Sequence, residues 1–268
     1  MSTTNNTLNL QPCLDFTASL AYRAGRITLG YFNTGIRPDF KADDTPVTAA
    51  DRASEEFIRG EIEKAYPAHA IVGEEYGETT GQGNPFRWII DPIDGTKSFV
   101  RGVPLYAVLI GLEINGVVRV GAAYFPALGE MLCAADGLGA WWNGRRARVS
   151  EVAEMKRACV CYTTYHNFEK RGLSVWQRLS DAAYMMRGWS DAYAYLAVAT
   201  GRAEVALDPF MNVWDCGPFP VILREAEGYF GSWNGEEGHT YGEALACNTA
   251  LRPEVLRLVR EADLKESS

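Results

Sequence analysis

Carboxylates at the ends of short apolar runs are the residues of this chain best placed to do chemistry. In Trp88-Ile89-Ile90-Asp91-Pro92-Ile93-Asp94-Gly95-Thr96-Lys97-Ser98-Phe99 a strand-like run ends in Asp91, Pro92 stiffens the exit, and Asp94 follows three residues on. A tight turn between two acids lets both converge on one point. Gly95-Thr96 then reads as a helix start, whose first N–H groups lack partners within the helix and suit an anion. Acids beside such amides make chemical sense if a hard cation bridges them. Mg²⁺ takes carboxylate and carbonyl oxygens and keeps water and substrate phosphate as its other ligands. The plainer alternative is an Asx turn, because Asp-Pro and Asp-Gly are ordinary turn formers.

Two more segments extend the pattern. Val72-Gly73-Glu74-Glu75-Tyr76-Gly77 places an acid pair at a glycine-flanked turn, which taken alone reads as a solvated loop. Val213-Trp214-Asp215 puts an acid at the start of an apolar helix, where its bland role is an N-cap. In order and spacing, Gly73-Glu74-Glu75, Asp91-Pro92-Ile93-Asp94-Gly95-Thr96 and Trp214-Asp215 resemble the inositol monophosphatase family of Mg²⁺-dependent, lithium-sensitive phosphatases, over roughly residues 40–250. The resemblance implies a layered αβαβα sandwich, usually dimeric. It implies Glu74, Asp91, the carbonyl of Ile93, Asp94 and Asp215 as ligands of two to three Mg²⁺ ions, with Asp91 bridging two of them. Gly95 and Thr96 would offer backbone N–H groups to the phosphate, and the Thr96 hydroxyl, paired with Asp51, would orient the attacking water. Lys41 matches a family lysine, although its spacing to Asp51 is one residue shorter than in the animal enzymes. The implied reaction is in-line attack of metal-activated water on a phosphate monoester, without a covalent intermediate.

The family includes inositol monophosphatases, nucleotide bisphosphate phosphatases, fructose bisphosphatases and histidinol-phosphate phosphatases. Residues 94–104, 187–193 and 208–215 resemble the last branch. Histidinol phosphate carries an ammonium and an imidazole, so its pocket should offer carboxylates and an aromatic wall. Asp191, Asp208 and Trp189 are the candidates, although an acid at position 208 also suits inositol-specific members. Asp191 can equally be an N-cap, and Trp189 can be packing. The expectation is a histidinol-phosphatase of histidine biosynthesis. The alternatives are an inositol-1-phosphatase, a broad phosphomonoesterase, or a non-catalytic member that binds metal or a partner.

The elements that must position these residues fall into two halves. In 1–150, an apolar-periodic stretch over 14–32 reads as a helix. Thr48, with Asp51 three residues on, caps another, whose stripe is Phe57, Ile58, Ile62 and Ala65. Strands at 88–90, 105–114, 117–125, 130–135 and 138–142 surround Asn115-Gly116 and Asp136-Gly137 turns, a meander of α+β type. In 151–268, strand-like runs at 158–162, 204–207 and 244–247 alternate with helical runs at 173–184, 192–199, 215–227 and 253–262, an α/β pattern. Residues 231–242, with four glycines, read as an exposed loop.

The 268 residues carry 34 acidic and 26 basic side chains, a net charge of −8, which argues against a nucleic-acid-gripping surface. The polar N-terminus has no signal-peptide layout, and no run approaches a membrane span. Six scattered cysteines without a CxxC pair read as free thiols, and three separated histidines make no zinc site. A cytoplasmic protein is expected. His166, in a polar stretch after a strand, is able to reach the site.

Overall fold

The Thr48 cap forms with both of its reciprocal bonds. In the computed structural model, which describes residues 9–42 and 46–266, Thr48 Oγ1 accepts from the Ala50 N–H at 3.1 Å, and Asp51 Oδ2 accepts from the Thr48 N–H at 2.8 Å. Most of the polar N-terminal segment read for targeting lies outside the described residues. The chain runs through α1 (Gln11–Leu29), a ribbon of β1 (Asp39–Phe40) and β2 (Pro46–Val47), and α2 (Ala49–Ala65). Ile58 and Ile62 of the expected α2 stripe are buried, but Ala65 is exposed. The next residue, Tyr66, takes over the packing there, its ring 5.1 Å from Phe16 and 5.5 Å from Trp88.

β3 (Ala70–Gly73), β4 (Gly77–Thr79), β5 (Phe86–Asp94), then α3 (Thr96–Val100), β6 (Ala107–Ile114), β7 (Val117–Phe125), β8 (Glu130–Ala135), β9 (Gly139–Trp142) and β10 (Arg145–Arg146) follow. The strands form one sheet ordered β10-β9-β8-β7-β6-β5-β3-β4, antiparallel except where β3 runs parallel to β5. Asn115 and Gly116 both take positive φ, as a tight primed hairpin turn requires.

The remaining elements are β11 (Cys159–Cys161), α4 (Tyr165–Lys170), α5 (Leu173–Ala182), β12 (Met185–Arg187), α6 (Ala192–Ala199), β13 (Val205–Asp208), α7 (Val213–Cys216), α8 (Phe219–Glu225), β14 (Gly228–Gly231), β15 (Ala244–Asn248) and α9 (Arg252–Glu266). Their strands form a mixed sheet ordered β12-β11-β13-β15-β14. The run expected as one helix over 215–227 is two helices, α7 and α8. Pro218 cannot donate the N–H that would continue the first helix's ladder, so that helix stops and a second begins after the proline.

Side chains alternate across β5 and so define the layers. Trp88 and Ile90 pack with Leu20, Ile58 and Ile62 under α1 and α2. Ile89 faces the other way, into a core shared with Leu196 of α6 and Phe219 and Ile222 of α8. That core continues to Ala206 and Phe230 of the second sheet, whose far face packs Val205 and Leu207 against Leu179, Val255 and Val259 of α5 and α9. The order of layers is therefore αβαβα, as expected. The 231–242 segment is not simply an exposed loop: Trp233 and His239 are buried, and Trp233 Nε1 donates to the Ala244 carbonyl at 3.0 Å. All six cysteines are unpaired. Among the described residues no helix is long and apolar enough to cross a membrane.

Candidate active site

The end of β5 builds one wall of a cleft of about 210 Å³. Pro92 offers no N–H to the ladder, and the pairing with β6 shifts between Asp91 and Asp94. The shift turns both acids toward the cleft. Asp91 Oδ1 accepts from the Ile93 N–H at 3.0 Å, and Asp94 Oδ2 accepts from the Ala192 N–H at 2.6 Å. Asp215 stands at the third position of α7 and is not its N-cap. Asn212 is the cap, and Asp215 Oδ2 accepts from its N–H at 2.7 Å.

One carboxylate oxygen from each of Asp91, Asp94 and Asp215 lies within 4.8 Å of the others. Burial, then the neighbouring charges of Glu74 and Asp94, push Asp91 well above the usual carboxylate range. Burial and the charges of Asp191 and Asp215 do the same to Asp94, and burial takes Asp215 up to about 7. Asp91 and Asp94, buried, and Asp215, half-buried, have no counter-charge among them and are costly unless a cation joins them. An all-oxygen donor set of this kind fits Mg²⁺ better than a thiophilic ion.

Glu74 reaches the same cleft from the β3–β4 turn. Its Oε1 accepts from Lys41 Nζ at 2.8 Å, and Lys41 makes a second 2.8 Å bond to Glu75. The turn is held from behind by α2. Glu55 Oε2 accepts from the Glu75 N–H at 2.8 Å, and Arg59 Nε donates to Glu55 Oε1 at 2.8 Å. Glu55 and Arg59 escaped the sequence reading, although an acid four residues before an arginine on a helix is a readable signal.

The expected Thr96–Asp51 pairing is present. Thr96 Oγ1 lies 3.2 Å from Asp51 Oδ1 and 3.1 Å from the Ile93 carbonyl. Asp51 thus serves two elements, with Oδ2 capping α2 and Oδ1 facing Thr96. Gly95 has φ +82°, and a Cβ there would lie 2.8 Å from Asp191 Oδ2. Only glycine allows both this backbone turn and this approach. Lys97, which the sequence reading passed over, also lines the cleft.

The outer part of the cleft is lined by Thr163, Asn167, Asp191, Tyr195, Asp208, Phe210 and Met211. Asp208 is internally engaged: Oδ1 accepts from the Thr163 N–H and Oδ2 from the Tyr195 hydroxyl, each at 2.9 Å. Burial raises it to about 7. Asp191 precedes α6 but makes no side-chain cap bond, so it is not acting as an N-cap. Its carboxyl, raised to about 6 by burial and lowered in part by the Lys97 charge, is held by Ser190 and Ser98. Trp189 differs from expectation: it is 39% exposed and stands outside the cleft lining, where the aromatic side chains are Tyr195 and Phe210. His166 is also outside the lining, its Nδ1 3.1 Å from Glu169 Oε2 on the exposed face of α4.

An αβαβα sandwich with clustered acids at a strand end and helix starts beside them is the architecture of a metal-dependent phosphatase. The inositol monophosphatase family matches residues 9–264, and this chain belongs to that family. A histidinol-phosphatase of Chlorobaculum parvum is 44% identical over 246 residues, covering 90% of this chain and 94% of the relative. One from Mycobacterium tuberculosis is 39% identical, covering 89% and 94%. Among solved structures, the extragenic suppressor protein SuhB of Bartonella henselae superposes with a TM-score of 0.87 at 26% identity, covering 93% of this chain and 98% of that one.

Proposed function

We propose that this protein hydrolyses histidinol phosphate to histidinol and phosphate, as a phosphoric monoester hydrolase of histidine biosynthesis. The observation that carries the reading is Asp191. It is a carboxylate at the junction of the acidic cluster and the outer cleft, with its Oδ2 close against Gly95. A substrate whose phosphate meets Gly95 would bring an ammonium a few bonds away to that carboxylate, and a neutral polyol would offer it only a weaker hydroxyl hydrogen bond. Two relatives of high coverage named as histidinol-phosphatases support the same substrate.

Glu74, Asp91, the Ile93 carbonyl, Asp94 and Asp215 would hold two to three Mg²⁺ ions. Bound there, the metal would lower the pKa of a coordinated water and offset charge on the ester. The chain's own groups do the rest. The Thr96 hydroxyl donates toward Asp51, which leaves its lone pairs to accept a hydrogen bond from the attacking water. First-turn N–H groups of Gly95 and Thr96 stabilise charge on the phosphoryl oxygens, and Lys97 adds a positive charge at the same mouth. Asp191, and behind it Asp208, set the polarity that selects a cationic alcohol.

In this reading residues 1–150 carry most of the metal ligands and residues 151–268 most of the selectivity. A cytoplasmic homodimer acting on a small molecule, with no nucleic acid or membrane partner, completes the proposal. Its supports are the family, the acidic balance and the unpaired thiols. The test is Asp191→Asn assayed on histidinol phosphate and inositol 1-phosphate. The variant should lose kcat/KM on the first and retain it on the second; equal effects on both would contradict the reading.

A further inference from the structure

The geometry points to Asn167 and Phe210, which line the same cleft, as the pair that reads the imidazole ring of the substrate. The inference rests on the substrate reading above and assigns the end of the cleft that reading leaves unused. Three separate stretches supply the outer wall: Thr163 just past β11, Asn167 on α4, and Phe210 and Met211 between β13 and α7.

Most polar groups in this wall are already committed. Both oxygens of Asp208 accept internal hydrogen bonds, from Thr163 and Tyr195. Thr163 Oγ1 accepts from the Asp191 N–H at 3.3 Å, and the Asp191 carboxyl is held by Ser98 and Ser190. The side-chain amide of Asn167 lines the same space and has no hydrogen-bond partner among the described residues. Asparagine is also a poor choice inside a six-residue helix on propensity alone. Phe210 lines the cleft with 47% of its surface exposed. An aromatic face and an uncommitted amide therefore line one cleft, and Arg171, one turn on from Asn167, donates to the Pro209 carbonyl beside Phe210 at 3.0 Å.

A neutral imidazole has one ring N–H donor and one bare nitrogen acceptor. A carboxamide offers a donor and an acceptor too, so it can pair with either tautomer without requiring charge. A phenyl face gives the ring a stacking surface. The carboxylate at Asp191 is then left for the ammonium. Inositol, with hydroxyls all round, has no planar face to lay on Phe210.

The experiment compares two esters on the Mg²⁺-loaded enzyme. They are histidinol phosphate and 2-aminopropyl phosphate, which keeps the phosphate and ammonium but lacks the ring. Asn167→Ala should raise KM for histidinol phosphate about 10-fold with kcat little changed, while 2-aminopropyl phosphate changes by less than about 2-fold. Phe210→Ala should behave likewise, and Phe210→Tyr should restore the preference. Thermal melts of the variants separate recognition from folding. Equal loss on both esters, or an undiminished preference for the ring-bearing one, overturns the assignment to Asn167. A parent enzyme that shows no preference for the ring overturns the substrate reading itself, and this inference with it.

Discussion

The backbone N–H of Ala192 donates to Asp94 Oδ2 at 2.6 Å, joining residues 98 apart in sequence. This bond ties Asp94, at the end of β5 in the first sheet, to the start of α6 on the second. It is reached through Asp191, whose backbone sits at φ +52°, ψ −146°, a region that favours glycine. The same peptide therefore orients an acid of the cluster and presents an acid of the outer cleft. A change at either end should be felt at the other.

Asp94→Asn should abolish Mg²⁺-dependent phosphate release while the fold survives. Removing one of three mutually repelling acids relieves the metal-free protein, so its Tm without metal should hold or rise. The Mg²⁺-induced gain in Tm, which follows from binding to the native state alone, should vanish. Near-parental turnover in this variant would remove Asp94 from the site.

Thr96→Val should lower kcat by about 10²- to 10⁴-fold, the usual range for a lost proton-handling group, with little change in KM. Asp51→Asn should lower kcat too, but it also disturbs the α2 cap at a cost of about 0.5–2 kcal/mol. Thermal melts would divide the two effects. A Thr96→Val enzyme with unchanged kcat would rule out the hydroxyl as the group that orients water.

The acidic cluster makes stability depend on pH with a definite sign. Burial raises the Asp215 carboxyl from 3.8 to about 7 in the folded protein, so folding takes up a proton in that window. The contribution is complete below about pH 4 and is lost as pH rises through about 7. The metal-free protein should therefore lose Tm between about pH 4 and 7 and level off above, and saturating Mg²⁺ should remove the loss. Apparent Mg²⁺ affinity, measured by calorimetry, should rise over the same range. A metal-free Tm that is flat or increasing across it would contradict the assignment.

Gly111→Ala tests how the second half is seated on the first. A Cβ at this position in β6 would lie 2.4 Å from the carbonyl oxygen of Gly217, at the joint between α7 and α8. Overpacking of this kind costs about 1–3 kcal/mol. Because Gly217 is two residues from Asp215, Mg²⁺ affinity should fall along with the urea midpoint. A variant destabilised without any change in Mg²⁺ affinity would show that the joint does not position Asp215.

The parts legible in the sequence are those fixed by local rules. Asn115-Gly116 demanded a tight hairpin, Thr48 with Asp51 announced a cap, and Asp91 through Thr96 held two acids and a helix start within six residues. What stayed hidden depends on distant partners. Trp189 and Phe210 are both exposed aromatics near acids in sequence, and only the packing of α6 and α7 decides which one meets the cleft. The glycine-rich segment after Phe230 looked solvated because its anchors, Trp233 and His239, are single residues among polar ones. β12 and β14 are three and four residues long, too short for periodicity to register against their neighbours.

The central claim is that the acids of this cleft serve a cationic phosphate ester. Its most direct test is kcat/KM of the Mg²⁺-loaded enzyme on histidinol phosphate and inositol 1-phosphate, measured side by side. The account predicts a preference of at least about 10-fold for histidinol phosphate, equivalent to about 1.4 kcal/mol in transition-state binding. A clear preference for inositol 1-phosphate would contradict it.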